Sequence, residues 1–162
     1  MDGFEREIVA LLPRLRRFGR VLAHDAADAD DLVQLAVERG LKRRGQFQPG
    51  TRLDSWMFGI MRNAWIDETR FRRRRSAVLA PAEGAERVGH AGDVDAAMAA
   101  RDVQHAMAAL PDDQRIAIGL VLIEGLSYKD AAEVLKLPMG TVASRIVRGR
   151  MALMAQLQEF AP

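Results

Sequence analysis

Residues 126–150, LSYKDAAEVLKLPMGTVASRIVRGR, read as two helices set around a tight turn. Ser127 and Asp130 form an S-x-x-[DE] capping box that opens a short helix running to about Leu135. Pro138 and Gly140 supply the turn, and Thr141 stands where a cap for the next helix is expected. On that longer helix, Val142, Ile146, Leu153 and Leu157 fall on one side, and Ser144, Val147, Arg148 and Met151 on the other. Arg145 and Arg150 flank the apolar stripe. Residues 140–153 carry three arginines and no acidic residue. A solvated surface helix would account for arginines on an isolated amphipathic segment. A short helix, turn and longer helix together describe a helix-turn-helix, whose second helix enters the DNA major groove.

Working back towards the N-terminus, helical spacing is nearly continuous and strand alternation nearly absent. Leu110-Pro111 breaks a helix expected over 96–110 and presets the next, which carries Asp112 and Asp113 in its first turn and ends near Gly125, a C-cap. Residues 76–95, SAVLAPAEGAERVGHAGDVD, have no sustained apolar period and hold one Arg against four acidic residues. That composition predicts a flexible acidic linker. Before it, residues 4–22 and 28–43 read as amphipathic helices, RGQFQPGT breaks the pattern, and a further helix runs from about 53 to the end of an arginine run at 75. The expected organisation is therefore all-α: a domain of three or four helices over 1–75, a linker over 76–95, and a helix-turn-helix domain over 96–162.

Charge is local rather than global. The 162 residues have a formal net charge of +2, yet residues 1–75 hold 16 Lys and Arg against 11 Asp and Glu, and residues 76–162 hold 8 against 11. Such a distribution suits a protein that offers particular faces to a polyanion. No cysteine is present, which excludes disulfides, thiol nucleophiles and cysteine-based zinc sites. The N-terminal stretch interleaves charge with apolar residues, unlike a signal peptide, and no segment has the length and apolarity of a membrane span; a cytoplasmic protein is expected. His24, His90 and His105 are scattered and no phosphate-binding or nucleophile motif occurs, so no catalytic residue, metal site or cofactor is expected.

Two further constellations stand in the first half. RFRRRR, residues 70–75, follows Trp56, Phe58, Ile60, Arg62, Asn63 and Trp65 on one helix, combining phosphate neutralisation by Arg70, Arg72, Arg73 and Arg74 with an amide able to bond a base edge. Trp56, Ile60 and Trp65 fit a core better than stacking platforms, whereas Asn63 between apolar positions is harder to explain by packing. On the second helix, Leu32, Leu35 and Val37 can pack inward. That leaves Asp31, Gln34, Glu38 and Arg39 on a polar strip facing either solvent or another protein's helices.

DADDLVQLAVERGL, FQPGTRLDSWMFGIMRNAWIDETRFRRR and LPDDQRIAIGLVLIEGLSYKDAAEVLKLPMGTVASRIVRGR together closely resemble a bacterial extracytoplasmic-function sigma factor of the sigma-70 family. The resemblance implies a sigma2-like helical bundle and a sigma4-like helix-turn-helix domain, acting as an alternative sigma factor that directs promoter recognition and opening. It implies core RNA polymerase as partner, through the beta-prime clamp coiled coil and the beta flap, with Asp28, Asp31, Gln34, Glu38 and Arg39 on the docking surface. It implies a flipped minus-ten base held by Phe47, Ile60 and Asn63 beside the loop 48–54. It assigns Ser144, Val147 and Arg148 to base edges of the minus-thirty-five duplex, with Arg145 and Arg150 on its backbone; a helix entering a groove by its N-terminal half also brings Thr141 to base edges, and lets Arg148 pair bidentately with guanine. A cognate anti-sigma factor is also implied.

Three positions depart from the family pattern: Ala143 where arginine is common, Val147 where an aromatic is frequent, and Leu35 where an acidic residue usually follows the glutamine. The first two thin direct readout and shift specificity towards DNA shape; the third removes one polymerase-facing charge. Twenty extended linker residues reach at most about 66–72 Å, comparable to the roughly 70 Å between sites two helical turns apart. Two alternatives are a sigma-like decoy that titrates an anti-sigma factor, and a conventional helix-turn-helix regulator; the retained arginines argue against the first and the N-terminal domain against the second.

Overall fold

The structure is a computed structural model and describes residues 1–77 and 94–159. Among the described residues it holds seven α-helices and no strand, the all-α class that the periodicity predicts. The chain divides into two compact units, Met1–Glu86 and Arg87–Pro162. Of the expected linker, residues 78–93 lie outside the described residues. Ser76 closes one helix and Val94 opens the next.

In the first unit, α1 spans Gly3–Leu22, α2 Ala26–Lys42 and α3 Leu53–Ser76, with a 3-10 turn at Arg44–Gln46. Asp2 caps α1 reciprocally: its Oδ1 accepts from the Glu5 N–H at 3.0 Å, and Glu5 Oε2 accepts from the Asp2 N–H at 3.0 Å. Asp25 caps α2 by accepting from the Ala27 N–H at 3.2 Å, so that helix begins two residues before the expected Asp28. Ile8, Leu15 and Phe18 of α1, Val33 and Ala36 of α2, and Met57, Phe58 and Met61 of α3 are all buried, where the three helices pack on one another. The Phe18 and Phe58 rings meet edge to face, centroids 5.1 Å apart. On α2 the inward stripe is Ala29, Leu32, Val33, Ala36 and Gly40. Leu35 and Val37, expected to point inward, are only half-buried, because the stripe centres on Val33, where the small Gly19 of α1 allows close approach.

In the second unit, α4 spans Val94–Ala108, α5 Asp112–Ile118, α6 Tyr128–Leu135 and α7 Met139–Glu159. Pro111 starts α5 without donating an N–H. The corner before it is fixed by the buried Arg115, whose guanidinium donates to the Leu110 carbonyl at 3.1 Å and to Asp112 Oδ1 at 2.8 Å. The expected helix to Gly125 is not uniformly α: Gly119–Ile123 form a π turn, with the Glu124 N–H bonded to the Gly119 carbonyl at 2.9 Å. Gly125, at φ +74°, then reverses the chain in the left-handed region that glycine enters without steric cost. The Leu126 N–H returns to the Leu120 carbonyl at 3.0 Å.

Ser127 Oγ accepts from the Asp130 N–H at 3.0 Å and opens α6. The helix ends in a left-handed residue, Lys136 at φ 55°, and the Leu137 N–H bonds the Ala132 carbonyl at 3.0 Å, the usual pairing of a glycine-type C-terminus. α7 starts earlier than the sequence suggests. The Pro138 carbonyl accepts from Thr141 and Val142 N–H groups at 3.1 and 3.2 Å, so Thr141 lies within the first turn and does not cap it. Val142, Ile146 and Gly149 form the buried stripe of α7, whereas Leu153 and Leu157, expected to continue it, are only half-buried. At Gly149 a Cβ would stand 2.5 Å from Ile118 Cδ1 and 3.2 Å from Gln114 Cβ; the missing side chain lets α5 lie against α7.

Gly149→Leu is expected to destabilise the second unit by about 2–3 kcal/mol through overpacking, read as a lower urea midpoint; an unchanged midpoint would contradict the close crossing. Lys136→Gly should raise stability by about 0.5–1 kcal/mol, since it removes the left-handed penalty but costs glycine's extra unfolded-state freedom. A destabilised Lys136→Gly chain would contradict the C-terminal geometry of α6.

Candidate nucleic-acid and polymerase interfaces

Burial of Val142, Ile146 and Gly149 turns the opposite side of α7 to solvent. Val147 is 58% exposed and Met151 68%, and Arg148 and Arg150 are exposed beside them. Thr141 and Ser144 are half-buried, with Ser144 Oγ donating to the Thr141 carbonyl at 3.2 Å. Arg145 leans back across the fold, its Nε 3.5 Å from Asp113 Oδ2 in the first turn of α5. The face is a run of short and neutral side chains edged by cations, a shape that admits close approach to a phosphate-lined groove.

The first unit builds its site where the loop between α2 and α3 meets α3. Trp56, Ile60 and Asn63 follow one another at helical spacing. Ile60 is 6% exposed, so it belongs to the core and not to an open pocket wall; the shared packing of α3 on α1 and α2 claims it. Asn63, Trp56 and Trp65 are half-buried. Phe47 meets α3 at Trp56, ring centroids 5.3 Å apart, and Phe4 completes the cluster at 5.7 Å from Phe47 and 6.2 Å from Trp56. The loop after Phe47 turns at Gly50, φ +89°, and Thr51 donates to the Gln48 carbonyl from Oγ1 at 2.7 Å and from its N–H at 3.2 Å.

The far end of that loop is held by Asp54. Its carboxylate is buried and accepts from Arg14 of α1 at 2.8 Å, from Arg52 Nε at 3.1 Å and Nη2 at 2.7 Å, and from the Ser55 N–H at 2.8 Å. Burial alone would raise its pKa; the Arg52 and Arg14 guanidinium groups and the backbone donor outweigh that and hold it down at about 2.

At the C-terminal end of α3, Arg70, Arg73 and Arg74 are exposed with no ion pair among the described residues. Arg75 lies over the exposed Phe71 ring at 5.8 Å. Arg72 differs: its Nη1 is 2.8 Å from Asp28 Oδ2, and the contact lowers the Asp28 pKa and raises that of Arg72. The sequence assigned these two residues to different partners, DNA and polymerase, whereas they neutralise each other because the start of α2 lies beside the end of α3. Arg62 is half-buried. On α2, Asp31, Gln34 and Glu38 are exposed, and Arg39 is turned to Asp67 at 3.0 Å. Gln34 and Glu38 edge a groove of about 570 Å³ between α1 and α2, floored by Leu12, Val33 and Val37.

Sequence reasoning missed Asp54, Arg14, Arg52, Phe4 and Arg44. Asp54 looks like an ordinary acidic residue in a helix's first turn, and its partner Arg14 is 40 positions away. Phe4 fits the apolar stripe of α1 and gives no local sign of its contact with Phe47. Among the described residues no group of three or more His, Cys, Asp or Glu could hold a metal, and no helix is long and apolar enough to cross a membrane.

Two helical units, one ending on a helix-turn-helix with an open cationic face and the other on an arginine-terminated helix beside an aromatic loop, define a nucleic-acid-binding protein of the helix-turn-helix class. Residues 100–153 match the family described as Sigma-70, region 4, and residues 8–62 that described as Sigma2 domain of PhyR. The chain is 36% identical over 166 residues to the ECF RNA polymerase sigma factor EcfG of Rhodopseudomonas palustris, covering 99% of this chain and 91% of that protein. It is 35% identical over 141 residues to the ECF RNA polymerase sigma factor SigM of Mycobacterium tuberculosis, covering 86% and 69%. Its structure is similar to that of the sigma factor RpoE in complex with the anti-sigma factor NepR from Bartonella quintana, with a TM-score of 0.85 and 32% identity over 98% of each chain. The chain belongs to the ECF family of RNA polymerase sigma factors, which are transcription-initiation factors and not enzymes.

The depressed pKa of Asp54 sets a pH test. A carboxyl whose pKa falls from 3.8 to about 2 on folding contributes stability that is fully present above pH 4 and is lost as pH falls towards 2. Asp54→Asn should therefore lower stability by about 2 kcal/mol at pH 7, and the gap between variant and parent should narrow between pH 4 and pH 2 in urea unfolding. A gap that is absent at pH 7, or constant with pH, would contradict the buried ion pair.

Proposed function

We propose that the two units of this sigma factor divide a promoter between them while both are carried by core RNA polymerase. The first unit docks on the beta-prime clamp coiled coil through the strip of Asp31, Gln34 and Glu38, with Arg39 and Asp28 held at its edges by Asp67 and Arg72. It captures one unstacked base of the minus-ten element between Phe47 and Asn63, Ile60 lying behind them, while Arg62, Arg70, Arg73 and Arg74 follow the phosphates and Arg72 stays with Asp28. The second unit engages the beta flap and reads the minus-thirty-five duplex through Thr141, Ser144, Val147 and Arg148, with Arg150 on the backbone and Arg145 turned to Asp113.

The observation that carries this division is how the fold sorts its arginines. Arg14, Arg39, Arg44, Arg52, Arg72, Arg115 and Arg145 are engaged by carboxylates within the fold. Arg70, Arg73, Arg74, Arg148 and Arg150 stand exposed without an ion pair among the described residues. Cations left in water on two separate helices favour phosphate contact on both. The same exposed charge speaks against a decoy that has lost its DNA contacts. By analogy with the Bartonella quintana complex, a cognate anti-sigma factor holds this chain inactive in the cytoplasm until it is released.

In transcription reconstituted with core polymerase, Asn63→Ala should reduce promoter opening by about 1–3 kcal/mol, the usual worth of a base contact, while leaving polymerase binding unchanged. Arg148→Ala should cost about 1–3 kcal/mol and relax preference at one duplex position. Parent-like opening by Asn63→Ala would contradict the base-capture assignment.

A further inference from the structure

Helix α1 grips the loop between α2 and α3 near both of its ends. At the entry, Asp2 pairs with Arg44 Nη2 at 2.6 Å. The Arg44 guanidinium lies 5.4 Å from the Phe4 ring, which in turn packs against Phe47. At the exit, Arg14 reaches across to Asp54, which also holds Arg52. Phe4 and Arg14 are about 15 Å apart along the helix. Between the two grips residues 48–52 are exposed, and Arg52 gives α3 no side-chain cap.

A loop of this kind cannot by itself fix an aromatic ring to the tolerance that base-edge recognition needs, because pre-organisation requires side chains locked by their neighbours. Phe47 has two such neighbours, Trp56 on α3 and Phe4 on α1. Trp56 belongs to the same helix as Asn63. Phe4 is supplied by a separate helix and is itself covered by Arg44. The Asp2–Arg44 pair is largely in solvent, its side chains 43% and 50% exposed, where ion pairs contribute little stability; its effect is to keep Arg44 over Phe4.

We propose that α1 acts as a clasp on the base-capture loop, with Phe4 and Arg44 as positioning residues that set Phe47 for discrimination of the captured base. This rests on the assignment of Phe47 and Asn63 to base capture. Phe4 is only half-buried, at the end of α1 away from the Leu15, Phe18 and Leu22 core, so its ring can be removed while that core is kept.

The test uses holoenzyme reconstituted from core polymerase and the full chain, on a promoter found by mapping its transcripts and on versions carrying each other base at the captured position. The readout is the ratio of opening rates, preferred base over substituted base, which does not depend on the fraction of active protein. Phe4→Leu and Arg44→Ala should each lower that ratio about 5-fold, the equivalent of one lost ring contact. Phe4→Tyr should keep it, and polymerase binding should not change. Asn63→Ala is measured in parallel. If Asn63→Ala collapses the ratio while Phe4→Leu and Arg44→Ala retain the parent's, the clasp is wrong and base capture stands. If Asn63→Ala retains it as well, both fall. A uniform loss of rate on every promoter with the ratio intact would mean that Phe4 and Arg44 only stabilise the fold, and would overturn the positioning role.

Discussion

Asp54 is the carboxylate on which the geometry of the first unit turns. Three elements converge on it: α1 through Arg14, the loop through Arg52, and the first turn of α3 through the Ser55 N–H. A buried carboxylate is tolerated only when such partners replace its water, so the three elements are held in one arrangement or the charge is stranded. Arg14 also stacks over Phe58 at 5.2 Å, and Phe58 meets Phe18 in the core. The polar tie is thus continuous with the apolar packing, and an exposed loop inherits the position of a rigid helix.

The second unit solves a related problem with shape. α7 must bury one side and, in the proposed reading, keep another clean enough for a DNA groove. Gly149 lets α5 approach on the buried side, and Arg115 fixes the corner that leads α5 there. Arg145 is drawn towards Asp113, leaving Arg148 and Arg150 as the cations of the open face. In both units, then, some arginines act inside the fold and others remain in water, and which are which follows from where carboxylates happen to be brought by packing.

That distinction marks the limit of what could be seen in the sequence. Helix content, the two-helix reading of residues 126–150 and the burial of Val142 and Ile146 on α7 were legible because they rest on local periodicity, and sigma-factor membership because three ordered motifs carry it. The Asp28–Arg72 pair was not: its members are 44 residues apart, and each alone resembles a free surface charge. The Asp54 tie and the Phe4–Phe47 contact were hidden for the same reason. The π turn at Gly119–Ile123 was missed because a single extra residue in a helical turn leaves the apolar pattern almost unaltered. Thr141 was misplaced as a cap because the Pro138 carbonyl already accepts the first helical N–H groups.

The most direct measurement is 5′-end mapping of transcripts made on genomic DNA by purified core polymerase with and without this chain. The account predicts a discrete set of new start sites that appears only when the chain is present, preceded by two shared sequence elements at fixed separation. Identical start sites with and without it, or no association with polymerase, would contradict the assignment of both interfaces.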